Sequence, residues 1–484
     1  MAKSDDKKEV SMRPTVSRIK PIKPKLNVGG KFDHLNGTWN IGIHGESVLN
    51  GGYSYFFAIA GGPNRGKTAL LRGLAGIAFS RTYWLRTLDE KYTTYYTSHD
   101  AESNTEEQRY TKMYQAVWYA FPEDPIEAER YIISDAQETT MEKWFEDWRN
   151  LCIYKRDVAS KELKVPTPFL DRDGKQLCVI APSFADADSI SQLRSEVQTQ
   201  MHEDNDVSSS KNNMYFARGG IAKTHMIDDI PPLAVASSTY TAVTVQTKTQ
   251  KSFDGTPPKK IFQHMPQDVA LKGVPENMLY LTLDFYLILR SDPLLASDKN
   301  GPRWPRAGEL RDRANSDLNV ITMVNLRGKA GPSGSPFTAV YSQSQGYLPR
   351  LTQWEDIWNE GQYGISGTLT NYALDMMPEV KLTRTTVRDL IDSNEELARA
   401  LEITADLLYM SFVSSVNGEN TNLLCKPSEL YADIKALGYD WKELLATRGW
   451  YTFFNEKHPV PFLSTMDLLR MRAGLYHPYW MKKK

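Results

Sequence analysis

Residues 56–71, FFAIAGGPNRGKTALL, constrain this chain more than any other stretch. An apolar run gives way to a glycine-rich turn, after which Lys67 and Thr68 open a helix-forming segment, TALLRGLAGIAF. Gly61-x4-Gly66-Lys67-Thr68 fits the G-x4-G-K-[ST] phosphate-loop pattern without gaps. Glycines allow consecutive backbone N–H groups to curl around phosphate oxygens without Cβ clashes. The helix that follows presents its positive N-terminal end to the anion. Lys67 then reaches the β- and γ-phosphates, and the Thr68 hydroxyl ligates Mg²⁺. Gly61, Gly62, Pro63, Asn64, Arg65, Gly66, Lys67 and Thr68 are the expected ATP-binding loop, with Thr68 as the metal ligand.

A buried strand feeding such a loop implies an α/β architecture. Between residues 32 and 350, apolar runs at 53–60, 93–97, 130–134, 177–181, 233–237, 280–289, 320–326 and 337–342 read as strands. Amphipathic stretches at 68–80 and 139–151 read as helices between the earlier ones. Strands alternating with helices predict a mainly parallel central sheet. The last three strands have no helices between them and predict an antiparallel edge. Residues 351–484 change character: TTVRDLIDSNEELARALEITADLLYM reads as helix, with Ser393 and Glu396 as a capping box. This region is expected to be a small, mainly helical domain, with the aromatic stretch Trp450, Tyr451, Phe453 and Phe454 in its core. Residues 1–31, with RIKPIKPK at 18–25, read as a flexible basic arm, either solvated or touching a neighbouring subunit or polyanion.

With 484 residues and a formal net charge of −1, any polyanion-binding surface has to be local. Cys152, Cys178 and Cys425 are widely separated and supply neither a disulfide framework nor paired metal ligands. No apolar run approaches the ~20 residues that span a bilayer. The N-terminus lacks the apolar core of a secretory signal. The expectation is a soluble, cytoplasmic protein with no membrane partner.

TTYYTSHDAES follows the loop helix and ends in Asp100-Ala101-Glu102. A carboxylate at the tip of the next strand can orient or deprotonate the attacking water. The same residues would equally suit an acidic turn at a helix N-terminus. The order of these parts resembles the RecA-type recombinases, most closely the UvsX-like recombinases of large bacteriophages. DAE at 100–102, ERYIISDAQETTMEKWFEDW at 129–148 and KTHMIDDIPPLAVASSTYT at 223–241 carry the resemblance with the phosphate loop, over roughly residues 45–350. It implies a RecA-like P-loop NTPase core over 32–350, ATP and Mg²⁺ as ligands, and self-association into a helical filament or ring. It also implies the cytoplasm of an infected bacterial host. By that match Glu102 is the catalytic carboxylate. Two departures weaken the expectation of fast hydrolysis but not of binding. Where the family's Walker B strand ends in an acidic residue, QLCVIAPSFADADS has Ala181 or Pro182, leaving Asp186 or Asp188 to substitute from a loop. Where the sensor strand has Gln, Asn or His, PLAVASSTYT offers Ser237 or Ser238.

NVITMVNLRGKAGPSGSPFTAVYS resembles the strand pair that carries basic residues across the subunit interface to the γ-phosphate, with Arg327 and Lys329 near those positions. A cation delivered from a neighbour stabilises transition-state charge and makes assembly a condition of catalysis. A solvent-facing hairpin is the plain alternative. The resemblance further implies two loops that bind single strands. Residues 202–213, HEDNDVSSSKNN, are not basic overall, whereas QTKTQKSFDGTPPKKIFQHMPQD at 246–268 interleaves Lys248, Lys251, Lys259 and Lys260 with Phe253 and Phe262. Lysines neutralise phosphates and aromatics stack on unpaired bases; a solvated surface loop is the alternative. The combined expectation is a DNA-dependent ATPase that coats single-stranded DNA, and engages duplex DNA during strand exchange, in recombination, repair and replication. A hexameric replicative helicase and a non-hydrolysing, ATP-bound DNA-coating scaffold are the rivals.

Overall fold

The computed structural model describes residues 22–101, 121–135, 140–196, 199, 212–250, 260, 262–296, 301–306, 317–328, 333–368, 370–417 and 422–482. The chain is a mixed α/β structure with a large, mainly parallel central sheet and a helical C-terminal region. The sheet begins with β1 (Phe56–Gly61), and α1 (Lys67–Tyr83) follows the turn. Next come β2 (Tyr96–Asp100), β3 (Tyr131–Asp135) and α2 (Met141–Ile153). After them lie β4 (Ser183–Asp188), α3 (Asn212–Ser237) and β5 (Thr239–Thr249). The short helix α4 (Met278–Leu281) leads into β6 (Asp284–Pro293), β7 (Leu318–Gly328), β8 (Pro336–Ser342) and β9 (Gly346–Tyr347).

Across the sheet the order is β9-β8-β7-β6-β1-β5-β4-β2-β3. From β6 to β3 neighbouring strands are parallel, and from β6 to β9 they are antiparallel. All six residues of β1 are buried, as are all six of β4. Such double-faced burial is what continuous apolar strands in a helix-covered parallel sheet require. The carboxyl ends of β1, β2, β3, β4 and β5 therefore share one edge, the edge where open α/β sheets take ligands.

Two expected strands are corrected. Residues 176–180 pair with 164–170 in a separate antiparallel hairpin, and the central sheet takes β4 instead. The expected strand at 233–237 is the last part of α3, which carries Pro231 and Pro232 within it. Its buried positions Ile227, Ile230, Ala234 and Ser237 recur at spacings of three and four, the stripe of a helix face. A short apolar run cannot announce its own period.

The C-terminal region has its own core, built on α5 (Pro349–Asn359), α6 (Val387–Ser393) and α7 (Glu395–Asn417). A three-stranded antiparallel sheet of residues 365–382 joins it. The expected single helix is broken at Asn394, whose backbone is extended and whose side chain accepts from Leu397 N at 3.0 Å. Asn394, not Ser393, thus caps α7; the Ser393 hydroxyl donates back to Asp389 O at 2.7 Å.

The expected basic arm also ends earlier. Leu26 and Tyr53 exchange backbone hydrogen bonds of 2.9 and 2.7 Å, and the Lys25 ammonium lies 3.5 Å from buried Asp284. Asn27 accepts from Tyr451 N at 3.2 Å, so residues 22–30 are held between the sheet and the C-terminal segment. Among the described residues no helix is long and apolar enough to cross a membrane.

That C-terminal segment carries a titratable clamp. The His458 ring stands edge-on to Trp84 and Trp450, at 5.1 and 5.4 Å. Burial, with Arg448 close by, pushes its pKa down to about 4. The unfolded chain therefore takes up this proton first as pH drops, and the contribution of His458 to stability should fall from about pH 6.5 towards pH 4. Relative to His458→Gln, wild type should lose roughly a few degrees of melting temperature across that window. Equal slopes would remove His458 from the account.

Candidate functional site

The turn after β1 takes its shape from two left-handed residues, Asn64 (φ 53°) and Gly66 (φ 78°). They flank Arg65 and bend the backbone into a tight turn; turns of alternating hand suit anions when their successive N–H groups face one side. Glycine is required at 66 on two counts, because a Cβ there would also lie 2.7 Å from the Tyr341 ring. Arg65 braces the turn from outside, its guanidinium donating to the carbonyls of Ile288 and Leu289 on β6. Lys67 opens α1 and is buried, its ammonium donating to Gly62 O at 2.8 Å across the turn. Thr68 is half-buried beside it, and Pro63 and Asn64 are exposed.

The neighbouring strand tips supply the polar groups. Asp188 ends β4 and so occupies a strand tip, correcting the expectation that Ala181 or Pro182 holds that place. It accepts from the Thr244 hydroxyl on β5 and sits 3.8 Å from Arg72 of α1. Arg72 follows Thr68 by four residues, so both lie on one face of α1. Burial alone would lower the Arg72 pKa, but Tyr131, Asp188 and Asp186 around it leave it above its ordinary value. Asp186 is deeper, accepting from Tyr96 and Ser98, and burial pushes its pKa up to about 6. Asp100 ends β2 in register with Asp188 on one side and Asp135 on the other. Glu102 lies outside the described residues.

On β5, level with the tip of β1, stands Gln246, directly paired with Gly61. Its N–H donates to the Ser191 hydroxyl at 2.9 Å, and its side-chain oxygen accepts from Lys272 Nζ at 3.4 Å. Ser237, the last residue of α3, and Ser238, the expected sensor residues, precede the far end of the same strand, Ser238 about 26 Å away at ~3.3 Å per residue. Ser237 there bonds Leu233 O and Thr239, and Ser238 O accepts from Lys155. Gln246 and the tip position of Asp188 were missed by sequence reasoning. The alternation FADAD and the β-branched run TAVTVQT were the signals that could have found them.

A cavity of about 800 Å³ opens beyond the tips of β4 and β5, with Arg194, Lys223 and Lys248 among its lining. Lys223 ties its walls together, donating to Ile190 O at 3.2 Å and Gly273 O at 2.9 Å. Burial pushes the Lys223 pKa down to about 8. Of the residues expected on the long loop, Lys248 lies instead on β5, which runs on to pair with residues 269–271, and is exposed, as is Lys260. Phe262 is half-buried against Tyr280, and Lys251, Phe253 and Lys259 lie outside the described residues.

Arg327 is near the end of β7 and pairs with Phe285, itself level with Ala58 at the start of β1. It therefore sits two strands across and about 10 Å down from Gly61, and the structure does not bring it to Lys67 within one chain. Burial lowers its pKa and Asp284 opposes that. Lys329 lies outside the described residues.

The turn fits a phosphate chain by its left-handed backbone, its buried lysine and its obligatory glycine. Among the described residues no group of three or more His, Cys, Asp or Glu forms a metal cage. Thr68 and Asp188 are the hydroxyl and carboxylate this edge offers Mg²⁺, an ion that commonly completes its shell with phosphate oxygens and water. No protein-family model matches the chain, and no curated protein matches it.

Proposed function

We propose that this chain is a RecA-type recombinase: a DNA-dependent ATPase that assembles on single-stranded DNA and promotes homologous pairing and strand exchange. The observation that carries the reading is one sheet edge on which the glycine-rich turn and Asp188 end their strands and Gln246, on the strand between them, stands level with Gly61. Lys67 and the turn's amides bind the phosphates, and Thr68 with Asp188 positions Mg²⁺, which screens phosphate charge when bound. Asp100 or Glu102 orients the attacking water. Gln246 links the phosphate end of the sheet to Lys248 farther along β5, since its neighbours Ser191 and Lys272 stand in or beside the basic cavity. Arg327 and Lys329 act on the nucleotide of a second copy, because Arg327 is remote from its own loop.

The scaffold alternative was motivated by a missing strand-tip carboxylate, and Asp188 supplies one. Phosphate release with and without poly-dT, with negative-stain imaging of the same sample, tests the reading. DNA-stimulated turnover with helical filaments is expected. Rings that unwind duplex favour the helicase, and monomers without turnover end the proposal. Lys248→Ala should weaken poly-dT binding and lower the slope of log affinity against log salt by ~0.7, one phosphate contact on a single strand. Fluorescence anisotropy at several salt concentrations measures both; an unchanged slope removes Lys248 from the interface.

A further inference from the structure

Two parts of the chain remote from the phosphate turn meet on the short helix α4. On one side the Phe262 ring lies 6.0 Å from the ring of Tyr280. At the other, Leu279 O accepts from an Arg327 Nη at 3.3 Å, while the Arg327 Nε is buried without a hydrogen-bond partner. A third contact closes the circuit. His264 stands so close to Gly334 that a Cβ there would meet its Nδ1 at 2.2 Å, and Gly334 takes φ +89°. Gly334 N in turn donates to the carbonyl of Asn325, two residues before Arg327, at 2.8 Å. Residues 262–265 form a turn closed by Met265 N on Phe262 O at 3.1 Å and anchored by buried Met265. One turn thus grips both the β7–β8 hairpin and the helix that holds the arginine.

We propose that residues 262–265 are a latch: they hold Arg327 within its own subunit until a single strand draws Phe262 off Tyr280 and frees the hairpin towards a neighbouring copy. The latch rests on the preceding reading, in which a neighbour uses Arg327. Tyr280 and His264 are positioning residues that act on Arg327 through α4 and Gly334. Packing supports a switch of this kind, because Tyr280 is 51% exposed and Phe262 is only half-buried at the margin of the core. The Arg327 Nε is buried without a hydrogen-bond partner, a cost that a move to a solvated or partnered position would remove.

Hydrogen exchange at the amides of 325–328 and 333–334 tests the latch without nucleotide. In wild type, poly-dT should speed exchange there at least 5-fold. Tyr280→Ala, and independently His264→Ala, should show the fast exchange without DNA. In the presence of ATP both variants should raise DNA-independent turnover, so that the ratio of stimulated to unstimulated rate falls towards one while the stimulated rate holds. Wild-type exchange in both folded variants overturns the latch, as does a hairpin that poly-dT binding leaves unchanged. A wild-type chain that neither binds poly-dT nor turns over ATP overturns the functional reading; the exchange of Tyr280→Ala then still decides whether the turn restrains the hairpin.

Discussion

Lys67→Ala is expected to weaken ATP binding about 10²-fold, the loss of one or two charge-assisted contacts worth ~1.5–3 kcal/mol each. The effect should be large because this ammonium is buried at the mouth of the turn and already bridges it to Gly62. The fold should survive, since α1 is held by apolar residues such as Leu70, Leu71, Leu74, Ile77 and Phe79, all almost fully buried. Titration with a fluorescent ATP analogue measures the affinity and a melting curve checks the fold. Undiminished affinity in a folded Lys67→Ala protein would mean that the phosphates bind elsewhere.

Asp188→Asn should separate turnover from binding. The carboxylate contributes charge near the metal, where removing one preorganised electrostatic group costs on the order of 10²–10³ in rate. Asparagine keeps an acceptor for the Thr244 hydroxyl, so ATP affinity should change only a few-fold. Arg72 would lose its nearest ion-pair partner, and a lowered melting temperature should accompany the lost rate. Ser237→Ala is the contrasting variant: its hydroxyl serves the end of α3, so turnover should stay within about twofold. If Asp188→Asn keeps more than a tenth of the wild-type rate, the metal role belongs to another group.

The glycine-rich turn between β1 and α1 was legible because its physics is local. Glycines, a lysine and a helix start must lie within a few residues of one another, so the sequence spells them out contiguously. The meander of β6, β7 and β8 was legible for the same reason, three apolar runs without helices between them. The strand tips were not. Pro182 divides an apolar stretch into an outlying hairpin and β4, and nothing in the composition says which half joins the central sheet. The run around Leu233–Ser237 is apolar enough for either period, and only the burial of Ile227, Ile230 and Ala234 against the core selects helix. That one ambiguity moved the start of β5 and hid Gln246. Asn394 was overlooked because Ser393 satisfied the capping pattern one residue too soon.

The sheet order has a consequence for biogenesis. β1 is the first strand of the central sheet to leave the ribosome, yet its two partners begin at Thr239 and Asp284. Until those segments emerge, an apolar strand has both lateral edges unmet, a template for intermolecular pairing. Closing such distant parallel contacts is slow, and nascent chains halted before residue 284 should aggregate or recruit holdases. The central position of β1 thus makes the chain depend on protection during synthesis.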